Sequence, residues 1–432
     1  MLLADFVRRP EEAYLRAERY LNDGSPSGFS ETHQTSSFTS PRSANHSFPL
    51  KQVHFDFNIC MEDVGVWKAA RLPSHCMFIH PDMLCPGAVL GNCPYSVVHE
   101  LPVSPTSSGR TVFALDDEYF IKLAYPGYLG RAVRHMNSEV ARAACAVTEQ
   151  LAVAMRSEMF NRAFSILRED CGRVLHIPQH LLNKATVDLP VNGMGCYEWG
   201  VIFRDFRPFP YLEEEEYLIP GFALFGREFD PHAHKIKEPQ DKPLLIQLFE
   251  HQRKAMDEFL LESILFPLFH SYFDALLLAG VELEAHAQNI LFTVGRDFSV
   301  KRVVYRDMES AGRDVPLMRL LGMDVTGKGY KENAIAPALP GDRYAQYCTT
   351  HSFMFDFKLG EYLVTPLINV AYAHTQFDKQ SLKERIRAFN MQFIHKLPHK
   401  FFPQEWCYYD RINWRQTNRR RVYTWQQGPQ YR

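Results

Sequence analysis

Glu284, His286, Gln288 and Asn289 fall within one six-residue stretch, and Asp307 and Glu309 follow after two apolar runs, Ile290–Val294 and Val300–Tyr305. A protein core has no use for so many polar groups beside apolar strands, because each buried one without a partner costs about 1–3 kcal/mol. A site for a nucleotide and a divalent cation does need them. Carboxylates and an amide oxygen suit Mg²⁺, which takes oxygen ligands together with the phosphates of its substrate. Gly295-Arg-Asp-Phe298 between the two runs predicts a hairpin that returns Asp307 to the neighbourhood of Asn289. The plainer reading is a surface hairpin with solvated charges, and the apolar character of the two runs weighs against it.

A second group of residues is suited to anions. Pro105-Thr-Ser-Ser108-Gly-Arg110-Thr111 is followed by Lys122 and Arg134. Hydroxyls, backbone amides in a glycine-containing turn and three cations are what a triphosphate requires. Alone, Ser-Gly-Arg-Thr is a common turn. Paired with a downstream metal motif, it becomes a phosphate cradle.

Several elements must position these groups. Thr111–Leu115 and Tyr119–Ala124 read as a hairpin, with Arg110 opening one strand and Lys122 on its partner, so both can reach one cleft. Residues 131–156 carry helical periodicity, which would put Arg134 near a helix N-terminus, where the dipole favours anions. Strands are expected at Val174–Ile177 and Tyr197–Phe206. A helical region over Leu244–Leu278 reads as two helices meeting at Pro267. Tyr344–His374, Lys379–Lys396 and residues 10–21 read as helical, and Asn22–Ser47 reads as a linker or loop. The pattern is α+β, with antiparallel hairpins separated by helical blocks.

Bulk properties exclude several classes. The 432 residues suggest two or three domains, divided as 1–50, 51–210 and 211–432. A formal net charge of −2 gives no global reason for nucleic acid or an anionic membrane. No apolar run approaches the roughly 20 residues of a spanning helix, and Met1–Pro10 has no signal-peptide core, so a cytoplasmic location is expected. The nine cysteines include no Cys-x-x-Cys pair and predict no disulfide framework. His75, Cys76, His80, Cys85 and Cys93 fit no usual zinc spacing and read as incidental or buried. Arg411, Arg415 and Arg419–Arg421, interleaved with Trp414, Tyr423 and Trp425, read as a solvated tail or an anionic-substrate contact, because the remainder of the chain is not basic.

Ser108-x-Arg110-Thr111, Lys122 and Arg134, the strand Gly200–Asp205 with Arg204 near its end, and Glu284-x-His286-x-Gln288-Asn289 with Arg306-Asp307 resemble the siderophore synthetases that work without a peptide-synthetase template, the aerobactin synthetase family. The resemblance covers roughly residues 75–320. It implies a cupped-hand arrangement with fingers-, palm- and thumb-like parts, a homodimer, ATP and Mg²⁺. It also implies adenylation of citrate or another polycarboxylic acid, then transfer of the acyl group to an amine or alcohol, for iron acquisition. By that resemblance Ser108, Arg110, Thr111, Lys122 and Arg204 would hold ATP, with Gln288 and Asn289 at nucleotide or metal. Glu284 and Asp307, assisted by Glu309, would hold Mg²⁺, while Arg134 and His286 would face the acid. Lys122, Arg134 and His286 are then the catalytic candidates. Family members are longer, and their upstream His-Pro motif has no clear counterpart here; His80-Pro81 matches a later, shorter element.

Two other readings stay open. Asn289 and Asp307 echo the Asn and Asp that bind Mg²⁺ in kinases, but Ala285 and Ala287 flank His286 where a kinase needs a base aspartate. A degenerate, non-catalytic synthetase partner is the third reading.

Overall fold

The computed structural model describes residues 2–18, 20–21, 48–56, 59–66, 72–84, 90, 93–108, 110–115, 119–129, 132–134, 136–182, 192–211, 215–230, 235–236, 242–325, 350–398, 401–409, 423–426 and 428–432. Asn22–Ser47, residues 116–118, residues 344–349 and the basic stretch 411–421 lie outside the described residues.

Alternating and continuous apolar runs produce twelve strands in two principal sheets. They are β1 (Phe48–Phe55), β2 (Cys60–Gly65), β3 (Cys76–Ile79), β4 (Tyr95–Pro105), β5 (Thr111–Ala114) and β6 (Tyr119–Leu123). There follow β7 (Phe164–Ile166), β8 (Cys171–Pro178), β9 (Cys196–Asp205), β10 (Tyr217–Pro220), β11 (Ile290–Val294) and β12 (Val300–Tyr305). Eight strands form one antiparallel sheet in the order β2-β8-β9-β6-β5-β4-β1-β3. The other four form β7-β12-β11-β10, in which only the β7–β12 pair is parallel. Both expected hairpins are present, β5–β6 with Thr111 opposite Lys122 and β11–β12 with Ile290 opposite Tyr305.

The small sheet packs with helices around one apolar core that includes Leu268, Phe269, Phe273, Phe292 and Val303. A second core, with Val112, Ile121, Trp199 and Val201, fills the large sheet and its covering helix Ser138–Ala154. A smaller cluster of Tyr14, Phe113, Phe120, Leu167, Leu218, Leu291 and Val304 joins the two sheets and the helix Pro10–Ala17.

Two expectations change. The helix predicted over 131–156 begins at Ser138, where the Asn137 side chain accepts from Val140 N–H, so Arg134 lies upstream on a short strand, Ala132–Arg134. Pro267 does not separate two helices; the break falls at 251–255, and Met256–Ala279 runs through. The reason is a π-helical segment, Leu260–Leu265. Phe266 N–H reaches back five residues to Leu261 O, and proline, lacking an N–H, is accommodated at the join. The same device recurs where the π-helical Phe353–Val364 ends two residues before Pro366. Met256–Ala279 is long and apolar enough to cross a membrane, but 67% of its most apolar window is buried within the protein.

One buried ionic contact ties the helical block to the chemistry-bearing segments. His351 Nδ1 lies 2.6 Å from Glu282 Oε1, and Nε2 lies 3.2 Å from Asp314 Oδ2, with all three side chains fully buried. Asp314 also caps Val315–Leu320 through Leu317 N–H at 2.9 Å. Burial works against the imidazolium, but Glu282 and Asp314 outweigh it and raise His351 to about 9. A raised histidine contributes stability that is complete below its unfolded value near 6.5 and lost as pH rises through about 9. Urea unfolding between pH 6 and 9.5 should lose up to about 3 kcal/mol from this group. The His351→Gln variant should show a flatter profile over that window; an equal slope in both proteins would remove the contribution.

Candidate active site

The site forms where one face of β5–β6, in the interior of the large sheet, meets the ends of β11 and β12. Successive strand residues alternate faces, so Phe120 and Lys122 share one face of β6, with Thr111 opposite Lys122 and Arg204 opposite Phe120. Arg110 immediately precedes β5. Opposite them, β12 ends at Tyr305, and the chain turns sharply at Asp307, whose backbone is left-handed (φ 71°, ψ 56°). The short 3₁₀ turn Met308–Ser310 then brings Glu309 beside Asp307.

These residues meet as a buried charge cluster. Lys122 Nζ lies 2.9 Å from both Asp307 Oδ1 and Glu309 Oε1. Arg110 pairs with Glu309, and Arg204 pairs with Asp307 while its Nε donates to Glu169 Oε1 at 2.9 Å. Lys122 and Arg204 are each 1% exposed, and Glu169 is completely buried. Three cations thus face three carboxylates with little water present, a burial that good geometry must compensate. Burial opposes ionisation of Asp307, but Lys122, Arg204 and Arg306 hold it well below the usual carboxylate range. Burial also opposes ionisation of Glu309; Arg110 and Lys122 prevail over it and over Asp307, keeping Glu309 low as well.

The anion-suited turn is ordered by its own hydroxyls. Ser108 Oγ accepts from Thr111 N–H at 3.0 Å and lies 3.3 Å from Thr106 Oγ1. Gln288 Nε2 donates to Ser107 Oγ at 3.3 Å, which links this turn to the Glu284–Asn289 cluster. Asn289 Nδ2 donates to Glu284 O at 3.1 Å and to Ser310 Oγ at 3.3 Å, joining the two halves of the downstream motif.

Glu284 stands apart from Asp307 and Glu309. Its carboxylate pairs with Lys358 at 2.7 Å, and His286 Nε2 lies 3.9 Å away. Burial pushes the His286 imidazole down to about 4, with Lys358 and Arg306 adding to the fall and Glu284 and Asp307 opposing it. His286 is therefore neutral near pH 7. Glu284 and Asp307 keep 22% and 23% of their side chains exposed, the open side of an otherwise closed cluster. The Arg134 side chain lies outside the described residues.

The structure brings Arg110, Lys122, Arg204, Asp307 and Glu309 into direct contact, with Ser108, Thr111, Gln288 and Asn289 around them. Sequence reasoning missed Glu169, Glu18 and Lys358. Glu169 carries no spacing signal, since it lies in a connection 35 residues before its partner Arg204. Lys358 resides in a helix whose placement only packing decides.

Two observations bear on what the cluster could hold. Arg110 Nη1 and Glu309 Oε2 are buried with no hydrogen-bond partner among the described residues, leaving a cationic donor and an anionic acceptor to be satisfied. Among the described residues no three His, Cys, Asp or Glu side chains form a metal cage. Mg²⁺ commonly takes one or two carboxylates plus substrate phosphates and waters, so the pair Asp307 and Glu309 suits it.

A model of the IucA / IucC family matches residues 94–226, the span from the end of the β3–β4 connection past β10. It includes Arg110, Lys122, Glu169 and Arg204 but not the Glu284–Glu309 segment. Among solved structures, the chain is similar to the petrobactin biosynthesis protein AsbB from Bacillus anthracis str. Sterne. The two are 15% identical, with 97% of this chain and 75% of that chain covered and a TM-score of 0.67. It is also similar to the ATP-bound aerobactin synthetase IucA from a hypervirulent pathotype of Klebsiella pneumoniae (14% identity, 89% and 70% covered, TM-score 0.59). For aerobactin synthetase IucC from the same pathotype the values are 13%, 82%, 64% and 0.55. No curated protein matches the chain. The family match is confined to residues 94–226, and the solved structures share the fold of this chain.

Removing Lys122 leaves two carboxylates facing each other in a poorly hydrated space. Lys122→Met should lower unfolding stability in urea by about 3–5 kcal/mol at pH 7. Adding Glu309→Gln should recover part of that loss, and strictly additive effects would contradict the cluster.

Proposed function

We propose that the chain is an ATP- and Mg²⁺-dependent carboxylate–amine or carboxylate–alcohol ligase of siderophore-type biosynthesis, acting in the cytoplasm. Its acid would be citrate-like or another polycarboxylate, activated as the acyl-adenylate. The observation that carries this reading is the buried contact of Arg110, Lys122 and Arg204 with Asp307 and Glu309 beside the Ser108 turn. The similarity to an IucA described as ATP-bound supports assigning ATP to it. In this reading the phosphate-binding half lies in residues 51–210 and the metal-binding half in residues 211–432, with the cupped-hand arrangement and homodimer that the family implies.

In the first step a carboxylate oxygen of the acid bonds to the α-phosphorus of ATP, and the bond to the pyrophosphate oxygen breaks. In the second, the amine or hydroxyl attacks the acyl carbon, AMP leaves and the nucleophile's proton passes to solvent. Both reactants of the first step are anions, so the chain must cancel their repulsion. Arg110, Lys122 and Arg204 do this with charges already aimed into a dry site, where they act more strongly than in water. Asp307 and Glu309 would hold Mg²⁺, which when bound offsets phosphate charge and makes pyrophosphate a better leaving group. Ser108, Thr111, Gln288 and Asn289 keep the turn and the two strand ends in register. His286 is neutral and offers the acid a hydrogen bond rather than a charge. Lys358, paired with Glu284, supplies a cation on that side, and Arg134 would face the acid.

The test is carboxylate-dependent ATP–pyrophosphate exchange over a panel of di- and tricarboxylic acids. The wild-type chain should exchange with at least one acid, and Asp307→Asn should reduce the rate by about 100-fold or more with unchanged circular dichroism. Exchange retained in Asp307→Asn would remove the site assignment. ADP formation with phosphate transfer to an acceptor would overturn the ligase reading.

A further inference from the structure

The helix Pro10–Ala17 lies far from the candidate site in sequence, yet the residue that ends it touches both halves of that site. Glu18 is fully buried. Its Oε2 accepts from Ser107 N–H at 3.1 Å, in the anion-suited turn. The same carboxylate pairs with the Arg306 guanidinium, adjacent to Asp307, and Arg306 Nη2 lies 3.4 Å from Oε2. Tyr14 OH donates to Glu18 Oε1 at 2.5 Å and accepts from Arg306 Nη1 at 2.8 Å, closing a three-residue ring. Arg306 Nε donates to Gln288 O at 2.8 Å, and Arg306 N–H donates to Asn289 O at 3.0 Å. Every nitrogen of Arg306 is therefore engaged in holding backbone and Glu18, which leaves it a structural rather than a ligand-binding cation.

Tyr14 fixes the other end of this arrangement. Its ring packs on Phe120, two residues before Lys122, at 5.9 Å, and edge-on against Phe206, two residues after Arg204, at 5.4 Å. One short helix thus contacts the phosphate-side turn, the strand bearing Lys122, the end of the strand bearing Arg204, and the strand end bearing Asp307. An apolar side chain could fill the same volume without the desolvation cost of a buried ion pair, whereas Glu18 and Arg306 together fix a particular geometry. What it secures is the register between two segments separated by about 180 residues, as Gln288 and Ser107 show by their own hydrogen bond.

We propose that Glu18 is a positioning residue that locks the Ser107–Ser108 turn to the Gln288–Asn289 and Asp307 strand ends, so that the two halves of the site are aligned before any ligand arrives. The alignment stands on the contacts alone; its consequence for nucleotide rests on the ATP reading above. Glu18→Gln separates positioning from mere packing. The amide has the same shape, but only one of its terminal atoms accepts, so either Ser107 N–H or Arg306 must face an NH₂ group.

Hydrogen–deuterium exchange on the full chain should show faster exchange in Glu18→Gln for peptides spanning 103–113 and 286–292, with 171–178 in the large sheet unchanged. The dissociation constant for MgATP, measured by calorimetry, should rise about tenfold. A lower melting temperature with wild-type exchange in 103–113 and wild-type MgATP affinity would overturn the proposal. If Glu18→Gln does not fold, Tyr14→Phe, which removes one donor to Glu18 and keeps the ring, should shift both readouts in the same direction by less; no shift in either would overturn it. Should the wild type itself not bind MgATP, the ATP reading fails, and the exchange data alone decide the role of Glu18.

Discussion

Everything in the candidate site depends on Lys122 being held, nearly free of water, between Asp307 and Glu309. An ammonium taken out of water loses much hydration, and an attraction to two carboxylates at 2.9 Å recovers it only if both stay in place. That requirement reaches outward. Arg110 pairs with Glu309 and Arg204 with Asp307, and Glu169 offsets the charge of Arg204. The left-handed turn at Asp307 follows from the same need, since it swings two carboxylates back toward a strand from a different sheet. The aromatic cluster of Phe113, Phe120 and Tyr14 then excludes water from beneath the charges, which strengthens each of them.

The balance of this cluster fits a ligand-exchange site better than a structural knot. Three cations meet three carboxylates, and yet Arg110 Nη1 and Glu309 Oε2 remain without hydrogen-bond partners among the described residues. In the proposed reading, a triphosphate arriving with a divalent cation would bring both complementary partners at once: phosphate oxygens for the guanidinium and ammonium, and a cation for the carboxylates. Neither half of the exchange is favourable alone, because each would leave buried charges unpaired. The family match covers the cationic half only, and the carboxylate half is joined to it here by direct contacts and a shared fold.

Much of this was legible in the chain. Apolar runs joined by turn residues marked both hairpins, and Arg110 and Lys122, expected to reach one cleft, meet at Glu309. The polar excess at Glu284–Asn289 and Asp307–Glu309 marked strand ends that converge, also as found. What stayed hidden came from elements placed by tertiary packing. Glu18 follows a short helix whose sequence does not say what it packs against, and Lys358 sits in a segment that reads as helical without showing that it meets Glu284. Pro267 misled for a related reason: the π segment before it removes the clash that would otherwise end a helix. Arg134 shifted from helix to strand because Asn137, not an earlier residue, supplies the cap.

The central claim is that this cluster exchanges its internal ion pairs for MgATP, and thermal unfolding of the wild-type chain tests it most directly. ATP and Mg²⁺ together, at millimolar concentration, should raise the melting temperature by several degrees, while either alone should raise it much less, because stabilisation follows binding to the native state. A melting temperature that the combination leaves unmoved, or that ATP alone raises equally, would contradict the account.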